Sequence, residues 1–272
     1  MALKVDAFIE LAILAEMSGV ALAGATSRLA FCRRLQLRDA AHNAGGLLNM
    51  TDFAAARRMM VDSQVRTSDV TDPRIIAAML ELPRERFVLQ TKADLAYLDF
   101  DVPVTQAQHG KPARRLLKPM VLAKLVQAAA LRASDHVLDV GCASGYSSAL
   151  LARLAHSVTA LEEEEALIRL ARDNLKAIGA DNVTVVAGPL TQGWQATAPY
   201  DVMFLNGATE IAPEALCRQL KAGGRLVTVL GRAPTGQAIL YRSVGDDVSG
   251  WPIFDAAAPL LPGFAAPPAF VF

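Results

Sequence analysis

Asp139 stands in the apolar run His136-Val-Leu-Asp-Val140. It is followed by the turn Gly141-Cys-Ala-Ser-Gly145 and Tyr146, and Glu162 closes the next apolar run, residues 157–161. An acid in a strand, a glycine-rich turn, a helix, a second strand and a terminal acid together make a ligand site. In a doubly wound sheet the ligand lies beyond the carboxyl ends of the strands, so this turn opens into the crevice. Gly141 lets the chain reverse tightly, and Gly145 lets the following helix lie close to the sheet. Asp139 is placed to face a cationic ligand group. Glu162 follows the turn by about twenty residues and is placed to accept two charge-assisted hydrogen bonds from a ribose. Glu163, Glu164 and Glu165 read instead as acids meeting a helix dipole at its N-terminus. The turn lacks the register of G-x-G-x-x-G, so a dinucleotide enzyme is the lesser reading.

The elements that must hold these groups follow from periodicity and breakers. Helices are predicted over 52–65, capped by Asp52, and from Pro73 to before Pro83, with Pro at the first helical position. An extended stretch is expected over 97–104, a polar loop over 106–114 with His109 as a loop histidine, and a helix over 119–131. Strands are predicted over 136–140, 157–161, 183–187, 201–205, 225–230 and 238–244. Helices over 144–154, 164–178 and 213–221 alternate with them, and an irregular strap is expected after Gly250. Alternation of this kind gives right-handed βαβ units. The expected fold class is α/β, a Rossmann-like doubly wound, mostly parallel sheet of about seven strands with an N-terminal helical segment. The expected divisions are an extension over 1–49, a helical part with a loop over 50–118, the sheet domain over 119–245 and a Pro/Ala/Phe-rich strap over 246–272.

Composition narrows the class. With 272 residues, 53% apolar and 20% charged, the chain can bury a full core. Twenty-seven basic residues balance 27 acidic ones, so there is no basic field for nucleic acid. Cys32, Cys142 and Cys217 show no metal-ligand spacing, and they read as free thiols in a reducing cytosol. Glu10 and Glu16 interrupt the apolar run over 8–25, against a transmembrane helix, and the single Lys4 followed by Asp6 argues against a signal peptide. Residues 1–49 end in the breaker cluster Asn43-Ala-Gly-Gly46, and a natural-looking start follows at Met50. They are read as the product of an upstream start codon, with a packed helical arm as the alternative.

Residues 50 to about 243 resemble the protein-L-isoaspartate O-methyltransferase family. The resemblance rests on Arg86-Phe-Val88 followed by Ala96-Tyr97 and Asp99, on Val137 through Tyr146, and on Val158 through Glu162. Gly179 through Val183, Tyr200-Asp201, Gln219-Leu220 and Gly223-Gly-Arg-Leu-Val227 add to it. It implies S-adenosylmethionine in the crevice, held by Asp139, Gly141, Cys142, Ala143, Gly145, Tyr146, Glu162 and Gly188, with no metal. The implied activity is methylation of isoaspartyl carboxylates in damaged protein.

Three positions depart from the family pattern. Its substrate loop reads Gly-Gln-Thr-Ile-Ser-Gln-Pro, where this chain has Ala113-Arg-Arg-Leu-Leu-Lys-Pro119. Leu117 replaces the Ser and cannot donate a hydrogen bond to a carboxylate. Gly188-Pro-Leu190 stands for Gly-Asp-Gly, removing the acid that would take the adenine amino group. Ala143 replaces the middle glycine of the turn. Arg114, Arg115 and Lys118 are candidates to clamp an anionic acceptor, or else form a solvated loop, and Asn206 is the candidate on the substrate side.

Three readings follow: a carboxyl methyltransferase acting on damaged protein or peptide; a methyltransferase for another acceptor such as an anionic small molecule; and a cofactor-binding or interaction module without catalysis. A cytoplasmic protein without membrane or nucleic-acid partners is expected in each case.

Overall fold

Helix formation starts where the sequence supplies caps. Asp52 accepts a hydrogen bond from the Ala55 amide (3.0 Å) and opens α1, Phe53–Met60. The helical path continues through a π turn at Val61–Val65 and a 3-10 turn at Arg66–Ser68. Asp72 likewise caps α2, Pro73–Glu81, whose first residue is the proline. The computed structural model describes residues 52–107, 111–245 and 247–267. The expectations for residues 1–49 and for His109 lie outside them.

Residues 97–104, expected to be extended, are so only at β1, Val102–Pro103, which pairs antiparallel with β2, Arg115–Leu116. The chain before β1 winds into 3-10 turns at Arg84–Phe87 and Gln90–Leu95. The cause lies in the side chains. Buried Arg84 ties the Ala96 and Leu117 carbonyls together (2.7 Å each), and the Tyr97 hydroxyl is held between Arg57 and Glu85. Helix α3, Pro119–Ala128, then leads into the sheet.

Seven strands form that sheet: β3 His136–Val140, β4 Ser157–Glu162, β5 Val183–Ala187, β6 Tyr200–Thr209, β7 Leu220–Leu230, β8 Gln237–Val244 and β9 Asp247–Asp255. Their order is β5-β4-β3-β6-β7-β8-β9, with β3 to β7 parallel and β8 and β9 antiparallel. This is the Rossmann-like architecture the alternation predicts. Helices α4, Tyr146–Ala152, and α5, Glu165–Ala177, make the crossovers from β3 to β4 and from β4 to β5.

Three elements differ from expectation. Strand β6, expected to end at residue 205, runs on through Asn206, Gly207 and Ala208 to Thr209. The helix expected over 213–221 shrinks to α6, Glu214–Cys217, because the buried Gln219 side chain reaches back to the Gln192 carbonyl and the Trp194 amide. Pairing between β6 and β7 therefore begins at Leu220 and resumes at Arg225, with Gly223 (φ 76°) inside the intervening irregularity. Finally, the segment after Gly250 is not all strap, since β9 extends to Asp255. Pro252 is tolerated there because β9 is an edge strand.

Strand alternation splits the core in two. Val137, Val158, Ala160, Val202, Phe204 and Val227 share a cluster with α1 to α5, in which Leu167, Ala171 and Leu175 supply one buried stripe of α5. Leu138, Val140, Leu161, Met203, Leu205 and Leu226 belong to the other cluster. Short elements cover this second face: the 3-10 turn Leu190–Gln192, α6, and Leu261 and Phe264 from the strap.

Candidate cofactor crevice and acceptor cavity

Two acids at adjacent strand ends anchor the crevice. Asp139 in β3 is fully buried, and its Oδ2 accepts from Ser147 Oγ and Ser148 Oγ (2.6 Å each) in the first turn of α4. Its Oδ1 is buried without a partner. Burial pushes this carboxyl up to about 6, against the pull of the two hydroxyls; Glu162 adds to the rise and Arg114 opposes it. A buried carboxylate with one unpartnered oxygen suits a cationic ligand group.

Glu162 at the end of β4 is the opposite case. Its Oε1 accepts from Arg114 Nη1 (2.8 Å), the Glu163 amide (2.9 Å) and the Glu164 amide (3.3 Å). Its Oε2 accepts from Arg114 Nη2 (3.0 Å) and the Ala143 amide (2.9 Å). Five donors saturate the roughly four acceptor sites of a carboxylate. The pair is dry, with side-chain exposures of 8% for Arg114 and 0% for Glu162. Arg114 Nη2 also bonds the Gly141 carbonyl (3.2 Å), which takes a second bond from Asn206 Nδ2 (3.1 Å).

The turn between the acids is strongly left-handed, with φ of 75° at Gly141, 52° at Ala143 and 95° at Gly145. The first and last are glycines, so only Ala143 carries strain there. A Cβ on Gly145 would sit 3.2 Å from Leu175, so this glycine brings α4 against α5 and not, as expected, against the sheet. Cys142 is buried, and burial holds its thiol well above the ordinary range. The Tyr146 ring packs edge-on against Phe87 (5.4 Å) beneath the Arg84 guanidinium (4.7 Å). The Cys142 and Tyr146 side chains are thus buried in the core. Gly188 donates from its amide to the Glu162 carbonyl (3.1 Å).

Over this turn lies the strap. Ala208 N–H donates to the Pro259 carbonyl (2.7 Å) and Leu261 N–H to the Ala208 carbonyl (2.9 Å), so residues 259–261 run beside the end of β6. A Cβ on Gly141 would lie 2.7 Å from Leu261 Cδ2, and one on Gly207 would lie 2.7 Å from Leu261 Cγ and 2.8 Å from the Pro259 carbonyl. Leu190 Cδ1, in the Gly188-Pro-Leu segment, would lie 3.5 Å from the same Cβ on Gly141.

The three loop cations that the sequence groups together are separated. Arg114 turns inward. Arg115 is exposed, bonds the Asp101 carbonyl through Nη1 (2.9 Å), and lines a 380 Å³ cavity with Phe100, Asp101, Ala233 and residues 257–259. Lys118 uses its amide to bond Asp101 Oδ1 (2.9 Å) at the start of α3, and Leu117 is buried. A second cavity, of 440 Å³, lies at the opposite end of the sheet among His136, Ser157, Thr159, Trp194 and Tyr200, away from both acids. Among the described residues no His, Cys, Asp or Glu group could hold a metal, and no helix is long and apolar enough to cross a membrane.

Sequence reasoning missed Ser147 and Ser148, Arg84 and Leu261. The paired hydroxyls one helical turn from an acid-bearing strand were a usable signal. Nothing local marked Leu261, whose role depends on where the strap lies.

Comparison with known proteins agrees with this architecture. The profile of the protein-L-isoaspartate(D-aspartate) O-methyltransferase family matches residues 55–248, which takes in both acids and the turn. Protein-L-isoaspartate O-methyltransferase 2 of Pelobacter propionicus is 37% identical over 192 residues, covering 70% of this chain and 83% of that one. The Rhodopseudomonas palustris protein-L-isoaspartate O-methyltransferase is 38% identical over 181 residues, 66% of this chain and 80% of its own. Among solved structures, a protein-L-isoaspartate O-methyltransferase superposes with a TM-score of 0.67 at 24% identity, over 76% of this chain and 66% of that one. A putative Plasmodium falciparum member in complex with S-adenosyl-L-homocysteine gives 0.62 at 17%, over 75% and 97%. The chain belongs to the protein-L-isoaspartate(D-aspartate) O-methyltransferase family.

Proposed function

We propose that the chain is an S-adenosylmethionine-dependent carboxyl O-methyltransferase whose acceptors are isoaspartyl groups of damaged protein or peptide. The observation that carries this reading is the family match across residues 55–248, which spans Asp139, the glycine turn and Glu162. Supporting it, the buried Asp139 has a carboxylate oxygen without a hydrogen-bond partner, which suits the cationic amino group of the cofactor. An ionised carboxylate is already a nucleophile, so the protein's task is to hold it against the methyl donor and exclude water. Arg115 is a cation available for that task, because it lines the 380 Å³ cavity. Asn206 fixes the Gly141 carbonyl and so positions the turn. Leu117 contributes shape without a hydrogen bond.

As the side chains stand, the crevice does not fit the cofactor. Both oxygens of Glu162 are committed to Arg114 and to backbone, and Leu261 lies on Gly141. The buried Cys142 and Cys217 thiols and the neutral charge balance accord with a cytoplasmic protein that engages neither membrane nor nucleic acid.

The Arg115 cavity also admits a small anionic acceptor, so the test is competitive. Labelled methyl transfer to an isoaspartyl peptide, its aspartyl isomer and small carboxylates should favour the isoaspartyl peptide. Equal labelling of the aspartyl isomer, or of small acids alone, would exclude the repair assignment.

A further inference from the structure

We propose that residues 256–264 and Arg114 form a two-part lock that closes the cofactor crevice from within and must open before the nucleoside binds. This rests on the methyltransferase reading above. The acid half of the lock is Arg114, whose fork takes the two Glu162 oxygens in the bidentate geometry that a ribose diol would need. The apolar half is Leu261, which lies on Gly141 and Gly207 within a methyl's width of both. Glycine at these positions is where a ligand could approach backbone closely, and here the chain's own leucine makes that approach.

The strap is built in. The Ala256 amide bonds the Gly236 carbonyl (2.9 Å), and the Glu210 amide bonds the Phe264 carbonyl (2.9 Å). The Ala266 amide bonds Glu210 Oε2 (2.8 Å), and Phe264 is buried. The family match stops at residue 248, so the strap lies outside it. The strap also stands between the two sites. Residues 257–259 wall the Arg115 cavity, while Pro259 and Leu261 cover the glycines of the crevice. Closure thus separates acceptor from donor, and opening joins the two spaces.

The test titrates S-adenosylhomocysteine by calorimetry into the full chain, into a chain ending at Asp255, and into Gly207→Ala, whose new methyl would meet Leu261 and the Pro259 carbonyl. Folding of each is checked by its thermal transition, and Gly207→Ala serves if the shortened chain does not fold. If closed molecules exceed nine in ten, releasing the strap tightens binding by about tenfold or more. In the full chain, saturating ligand should also speed hydrogen exchange at the Ala208 and Leu261 amides. Equal affinity in all three proteins with unchanged exchange would overturn the lock and leave the methyltransferase reading intact. Absence of binding in every folded protein would overturn both.

Discussion

Asp139 and Glu162 lie at the carboxyl ends of neighbouring parallel strands, are both buried, and flank one turn, yet their carboxylates are partnered in opposite ways. Asp139 is held by two serine hydroxyls and keeps an open oxygen. Glu162 is saturated by a guanidinium and three backbone amides. A buried charge without full pairing is costly, whereas a paired one is nearly neutral until a partner is removed. The Asp139 end of the crevice is therefore tense and prepared for a ligand, and the Glu162 end is relaxed and closed.

Breaking the relaxed side should have the largest effect. Glu162→Gln leaves Arg114 buried without a counter-charge, and denaturant unfolding should show a loss of about 3–5 kcal/mol. Leu261→Ala removes the roof of Gly141 and should cost about 2–4 kcal/mol in the same measurement, because a well-packed strap collapses poorly. Arg114→Leu should cost less than Glu162→Gln, about 1–3 kcal/mol, since Glu162 retains three amide donors. Equal losses at 114 and 162 would show that the amides carry no share of the carboxylate's charge.

The tense side predicts a gain. The folded-state value of Asp139, about 6, lies above its ordinary 3.8, so the folded protein binds the extra proton between these values. Its contribution is fully favourable below the ordinary value and is lost as pH rises through 6. Asp139→Asn should remove that pH dependence and raise stability at pH 8 by about 1–2 kcal/mol, while abolishing cofactor binding. A variant with the wild-type pH profile would contradict the open-oxygen account. The smallest effect belongs to the turn between the acids. Ala143→Gly relieves a left-handed alanine and should stabilise by about 0.5–1 kcal/mol in thermal unfolding.

The scaffold was far more legible in sequence than the state of the site. Strands β3 to β5, the Asp52 cap and the proline start of α2 follow from period, capping chemistry and fixed φ, all of which are local. Both acids and the turn were legible for the same reason. What escaped was long-range. Arg114 reads as one of three loop cations, and only the fold carries it 48 residues away to Glu162. Gln219 pulls α6 short by reaching to Gln192, and β9 forms because β8 offers it an edge. Leu261 sits in a Pro- and Ala-rich tail with no periodicity, so its place on Gly141 had no local signature.

The most direct measurement is release of base-labile methanol after labelled methyl transfer to an isoaspartyl peptide, run side by side on the full chain and on the chain ending at Asp255. Release is expected from both, faster from the shortened chain at low S-adenosylmethionine and converging as the donor saturates. Release by neither folded protein would contradict the methyltransferase reading.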